Sequence, residues 1–177
     1  MDIVMIGFAG QKGANDFFLQ NRELLEQRFS QNALRQMNIP PLDFTDIKMT
    51  IEGGITFCER VTTDGVYSAL WRLGTSLKKG LLVDNKKIPI KQTTIELCEA
   101  LDENPYLIDG EGSYLLATED GYALVRRLKR EISIADDAIA VIGSLTKEKL
   151  KRVFYGEDEY RVLEERMLEH KKVKNQS

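Results

Sequence analysis

The sequence predicts a sheet buried beneath helices within one domain, followed by a helical appendage. Short apolar runs alternate with segments of helical periodicity from end to end, the pattern that lays helices over a sheet. Of the 177 residues, 42% are hydrophobic and 30% charged, the mixture of an ordinary folded chain. That length is enough to bury a substantial core without disulfide staples. Residues 1–146 form the domain in this reading and residues 147–177 the helical extension.

The run at residues 3–8, rich in Ile and Val and closed by glycine, reads as a buried strand. From Ala14 onward Phe17, Phe18, Leu24, Leu25 and Phe29 recur at helical intervals between charges, with Asn15 or the glycine before it placed to cap the start. A further short helix is expected over Gln31–Met37, stopped by Pro40 and Pro41. Residues 54–61, GITFCERV, read as a strand. TTDGVYSALWRLGTSLKKG reads as a helix capped by Thr62 or Thr63 and stopped at Gly80, with Val66, Ala69, Leu70, Leu73 and Leu77 on one face. LLVD is a strand. IPIKQTTIELCEALDENPY supplies an extended lead-in and a helix bearing Ile95, Leu97, Cys98 and Leu101, ended by the Asn104-Pro105 pair. SYLLAT is a strand, EDGYALVRRLKREI a helix and DDAIAVIGSL a strand. In the extension, EDEYRVLEERMLEHKK sets Tyr160, Leu163 and Met167 along a narrow stripe of a charged helix, which packs on its own domain or on a partner.

A net charge of −3 gives no global attraction to nucleic acid. Residues 147–177 hold nine Lys/Arg against seven Asp/Glu, so the extension is +2 and the rest −5, with signs interleaved as on a solvated helix face. No run approaches the ~20 apolar residues of a membrane span, and MDIVMIGFAG lacks the basic start of a secretion signal, so a cytoplasmic location is expected. Cys58 and Cys98 are too few and too far apart for a zinc cluster or a disulfide framework, and reduced, buried thiols are expected. The only histidine, His170, stands in the extension, which excludes histidine-based catalysis from the body. The pairs Asp102–Glu103, Glu119–Asp120 and Asp136–Asp137 are adjacent and so point apart, as turns and helix starts do; no metal site is expected.

Two corners could carry chemistry. In GFAGQKGAND the glycines Gly7, Gly10 and Gly13 follow the first strand and precede a helix, whose unpaired N–H groups attract anions. Gly10, Gln11, Lys12, Gly13, Ala14 and Asn15 would then surround a phosphate, with Lys12 adding a point charge. The spacing is neither G-x-G-x-x-G nor the P-loop pattern, and Asp16 in the first turn opposes an anion; a plain strand-to-helix corner is the other reading. In CERVTTDG the second strand ends in charge, so Glu59, Arg60, Thr62, Thr63 and Asp64 could line the same rim as the glycine loop. Alternatively Glu59 and Arg60 pair with each other, Thr63 caps the helix and Asp64 complements its dipole.

The ordered run GFAGQKGAND, ERVTTDGVYSALWRL, IPIKQTTIELCEAL, GEGSYLLAT and AIAVIGSLT resembles the C-terminal domain of the aminoimidazole ribonucleotide synthetase superfamily over about residues 3–146, nearest to members related to the hydrogenase-maturation carbamoyl dehydratase. The resemblance implies an α+β fold: a three-layer α/β/α sandwich on a mixed sheet, partly ferredoxin-like, here with a C-terminal helix added. It implies ATP-dependent phosphorylation of an amide-like oxygen in enzymes whose N-terminal domain carries most ATP and magnesium ligands and forms the dimer. That half is absent from this sequence. The family's G-x-x-G-x-x-G falls on Gly7, Gly10 and Gly13. Its His-Asp-x-Thr-x-Gly-Gly falls on Glu59 through Gly65, where Glu59-Arg60 replaces His-Asp and Asp64 replaces the first glycine. The carbamoyl dehydratase's C-terminal cysteine is missing from KKVKNQS.

Three functions follow as expectations. The first is a stand-alone, non-catalytic binding or assembly module keeping a phosphate or small-ligand site. The second is half of a split ATP-dependent enzyme, and the third an enzyme with new chemistry around Glu59 and Arg60. The isolated chain is expected to use no cofactor, with ATP and magnesium entering only through a partner that supplies the missing domain. Expected partners are a second copy in a homodimer or such an ATP-binding-domain protein, with a phosphorylated small molecule as ligand and neither nucleic acid nor membrane. The surface the absent domain would cover should be hidden by the extension or by a second chain.

Overall fold

A computed structural model describes residues 1–38, 54–132 and 134–165. An interior strand of its sheet is β1 (Asp2–Ile6), four of whose five residues are buried. The described strands β2 (Ile55–Arg60), β3 (Gly80–Asp84), β4 (Tyr114–Thr118), β5 (Ile139–Thr146), β6 (Lys151–Phe154) and β7 (Tyr160–Val162) join it in the order β2-β4-β1-β5-β3-β6-β7. The sheet is mixed: β3 and β6 run parallel and the other neighbours antiparallel.

Alternation along β1 divides the core. Ile3 and Met5 point into a cluster with Leu115, Ile142 and the apolar face of α4 (Gly65–Ser76), where Val66, Ala69, Leu70 and Leu73 are fully buried. Val4 and Ile6 point to the opposite face, against Leu124 and Leu128 of α6 (Gly121–Glu131). Helix, sheet and helix thus form three layers, as the resemblance implies. Burying each such Leu or Ile contributes about 1.5–3 kcal/mol. Four further helices, α1 (Gln11–Gln20), α2 (Arg22–Glu26), α3 (Gln31–Met37) and α5 (Gln92–Ala100), pack on one another through a third cluster that includes Phe18, Leu25, Leu34, Leu97 and Ile108. Among the described residues no helix is long and apolar enough to cross a membrane.

Several boundaries differ from expectation, each for a local reason. The first helix begins at Gln11, with left-handed Gly10 as its N-cap, so neither Asn15 nor Gly13 caps it. It breaks at Asn21, whose side chain turns back to the Phe17 carbonyl, and this separates Phe17 and Phe18 from Leu24 and Leu25. For α4 the N-cap is Asp64, not Thr62 or Thr63. That helix stops because Lys78 turns left-handed (φ 55°), while Gly80 already belongs to β3. Left-handed Asp102 (φ 53°) ends α5 before Asn104-Pro105 is reached. Cys58 is exposed on edge strand β2, and Cys98 is buried as expected. The proline stop at Pro40 and Pro41 lies outside the described residues.

The extension departs most. Tyr160–Val162, expected to be helical, is strand β7, and Lys151–Phe154 is β6. An open sheet edge offers a row of unpaired backbone groups, and β6 takes it by pairing with β3 from Leu81↔Lys151 to Asp84↔Phe154. Of the expected stripe, Leu163 is buried in the α4-side core, its N–H donating to the Lys151 carbonyl at 2.8 Å, and Tyr160 is exposed. Met167 and His170 lie outside the described residues.

Candidate functional site

Both corners meet one segment, residues 105–113, between α5 and β4. Gly10 approaches the Pro105 carbonyl and the Ile108 side chain so closely that a Cβ there would overlap them. A Cβ on Gly13 would stand 2.9 Å from the Asp109 nitrogen and 3.0 Å from Ile108 Cβ, and one on Gly7 would strike the Ser113 side chain. The Gly13 N–H donates to the Asp109 carbonyl at 2.8 Å. On the second corner, left-handed Gly65 (φ 84°) packs on the same segment, where a Cβ would lie 2.5 Å from the Tyr106 oxygen. The Tyr67 N–H donates to the Tyr106 carbonyl, and Gly110 donates to the Thr62 carbonyl. Glycine at these positions is what close backbone approach by the chain itself requires.

Apart from the exposed Arg60, the charges at each corner are paired within the chain. Lys12 Nζ lies 2.9 Å from Asp109 Oδ2 and 3.1 Å from Asp16 Oδ2. Hydrogen bonding to Asp109, then to Asp16, holds this ammonium protonated well above the ordinary lysine range. At the second corner Arg72 of α4 is the hub. Its guanidinium reaches Glu59 Oε1 at 2.7 Å, Asp64 Oδ2 at 2.6 Å, the Arg60 carbonyl at 3.1 Å and Thr62 Oγ1 at 3.3 Å. Thr62 in turn donates to Asp64 Oδ1 at 2.7 Å. Glu59 therefore pairs with Arg72, and not with Arg60 as one of the two expected readings had it. Asp64 turns its carboxylate to the same guanidinium and makes no side-chain cap. Thr63 and the Arg60 side chain face solvent.

A tyrosine cluster ties segment 105–113 to the core. The Tyr67 and Tyr106 rings stack 5.0 Å apart. Tyr67 Oη donates to Asn85 Oδ1 at 2.7 Å and lies 2.7 Å from Tyr155 Oη, while Asn85 Nδ2 donates to Tyr106 Oη at 3.0 Å. Burial, with the Tyr155 hydrogen bond, pushes the Tyr67 hydroxyl far above the ordinary tyrosine range, so it stays protonated.

Gln11 and Ala14 look away from this junction. They line a cavity of about 270 Å³ with Phe8, Met37, Lys91, Thr94 and Leu97, between α1, α3 and the start of α5. Among the described residues no group of three or more His, Cys, Asp or Glu gathers as metal ligands. Asp109 and Arg72, which define the two corners, were not singled out from the sequence. Arg72 had a signal: it is the only charged residue of α4, two turns beyond Asp64.

Neither any protein-family model nor any curated protein sequence matches the chain. Solved structures do. The chain is similar to hydrogenase maturation protein HypE in complex with ATP (18% identity, TM-score 0.68), covering 92% of this chain and 50% of that one. HypE from E. coli matches at 18% identity and TM-score 0.66 over 92% and 49%. Thiamine-monophosphate kinase from Stenotrophomonas maltophilia matches at 16% identity and TM-score 0.63 over 87% and 49%. The chain thus spans about half the length of each. At these identities the likeness is one of fold, and at that level the chain has the α+β architecture of the aminoimidazole ribonucleotide synthetase-related structures, over about half of their extent.

Proposed function

We propose that this chain works by binding, as an assembly module on an ATP-enzyme scaffold, and performs no ATP chemistry alone. One observation carries the reading. Segment 105–113 occupies both glycine corners, and the cations there, Lys12 and Arg72, already face two carboxylates each. A triphosphate placed at either corner would have to displace backbone and compete with Asp109, Asp16, Glu59 or Asp64. The glycine pattern then serves packing, and a small ligand belongs beside the loop, where Gln11 and Ala14 open onto a cavity. Cytoplasmic action and a protein partner, either a second copy or an ATP-binding-domain chain, complete the proposal.

The test uses the purified full chain with magnesium and ATP. The expected result is no phosphate release above buffer and no thermal shift with ATP. Phosphate release that Lys12→Ala abolishes would overturn the reading. A second reading, half of a split ATP-dependent enzyme, is favoured by the half-length coverage of structures that include a HypE–HypF complex and HypE with ATP. Turnover that arises only on mixing with a chain carrying the ATP-binding half would establish it.

A further inference from the structure

We propose that the cavity between α1, α3 and the start of α5 is a binding site for a small monocarboxylate with an apolar, ring-sized body. The walls are divided by chemistry. Phe8, Ala14, Met37 and Leu97 supply an apolar floor, and Lys91 and Thr94 supply polarity at the α5 end. A volume of about 270 Å³ lies just below the usual range of ligand sites, about 300 to 1,000 Å³, and suits one ring with a short chain.

Among the described residues of the lining, Lys91 is the only charged one. Its ammonium stands 4.0 Å above the centroid of the Phe8 ring and 3.0 Å from Asp137 Oδ2. Asp137 is exposed, and a solvent-screened pair of this kind is weak enough to share its cation with an incoming anion. Lys91 is also the N-cap residue of α5 and offers no side-chain cap, so the positive end of a nine-residue helix adjoins the same charge. A single ammonium matches a monoanion better than a nucleotide.

The second, independent observation is Thr94. Only 3% of its surface is exposed, and it lines the cavity together with Lys91. A threonine hydroxyl both donates and accepts, so it can give a hydrogen bond to a carboxylate oxygen. A carboxylate bridging Lys91 and Thr94 would accept from both, while the ring of the same molecule lies against Phe8, Met37 and Leu97. The assignment deepens the binding-module reading and rests on it. The two fail separately: ATP turnover by the chain alone would overturn that reading and leave the cavity titration standing.

The experiment is a titration of the ¹⁵N-labelled full chain with 3-phenylpropanoate and with its uncharged amide, 3-phenylpropanamide, followed by amide NMR shifts. Saturating shifts are expected at Ala14, Thr94 and Leu97, with the amide binding about tenfold more weakly, as loss of one charge-assisted contact implies. Lys91→Met, a change at the cavity mouth, should bring the two probes to equal affinity. Thr94→Val should weaken the carboxylate severalfold, and Ala14→Leu, which fills the cavity, should remove both. If Ala14→Leu does not fold, the Lys91→Met comparison decides. Absence of shifts at the probe's solubility limit, shifts elsewhere on the chain, or a carboxylate preference that survives Lys91→Met would overturn the proposal.

Discussion

Replacing Gly13 by alanine sets two opposing magnitudes against each other. In a helix interior alanine is favoured over glycine by up to about 1 kcal/mol, and Gly13 lies within α1. If the loop were open to solvent, the substitution would stabilise the protein. Here the new methyl carbon would stand 2.9 Å from the Asp109 nitrogen and 3.0 Å from Ile108 Cβ, well inside ordinary contact. Overpacking of this kind costs about 1–3 kcal/mol. Moving segment 105–113 aside also endangers the 2.8 Å bond from the Gly13 N–H to the Asp109 carbonyl, another ~0.5–1.5 kcal/mol. The expected net effect is a loss of about 1–3 kcal/mol, read from urea unfolding curves at unchanged slope. Gly156→Ala is the control. No atom lies within 4 Å of its Cβ position, and its effect should be neutral or a gain of up to about 1 kcal/mol. A Gly13→Ala protein as stable as the parent, or more so, would refute the reasoning that the chain fills its own glycine loop.

The other substitutions probe what holds the filling segment. Arg72→Met leaves Glu59 and Asp64 facing each other without a cation, and should cost about 1–2 kcal/mol after solvent screening, with only partial recovery in Arg72→Lys because lysine cannot reproduce the fork. Thermal unfolding of both variants checks this; equal stability of parent and Arg72→Met would show the hub to be idle. Tyr67→Phe keeps the stack on Tyr106 but removes the hydroxyl joined to Asn85 and Tyr155, for an expected loss of about 1–2 kcal/mol in urea unfolding. A neutral result would mean that Asn85 and Tyr155 find other partners.

Elements whose burial follows a clean period were legible in the sequence. The apolar face Val66, Ala69, Leu70 and Leu73 announces α4, and the Ile-Val run of β1 is continuous because both faces of this interior strand are covered. The extension was not legible. Around Tyr160 the charges recur at spacings that suit a helix, while β6 forms by pairing with β3, some seventy residues earlier, and β7 by pairing with β6, which no local pattern records. At the candidate site the glycines were visible but their occupant was not. Segment 105–113 reads as a helix end and a turn, and the bond from Lys12 to Asp109 spans 97 residues. A glycine demanded by a ligand and one demanded by the chain's own backbone look the same in one dimension.

Native-state hydrogen exchange at the amides of Gly13, Tyr67 and Gly110 tests the closure of both corners most directly, because each donates across the junction, to Asp109, Tyr106 and Thr62 respectively. All three should be protected to nearly the same degree as the interior β1 amides, with no change on adding magnesium and ATP. Exchange at those amides within about tenfold of the unprotected rate, or protection that develops only when the nucleotide is present, would contradict the account.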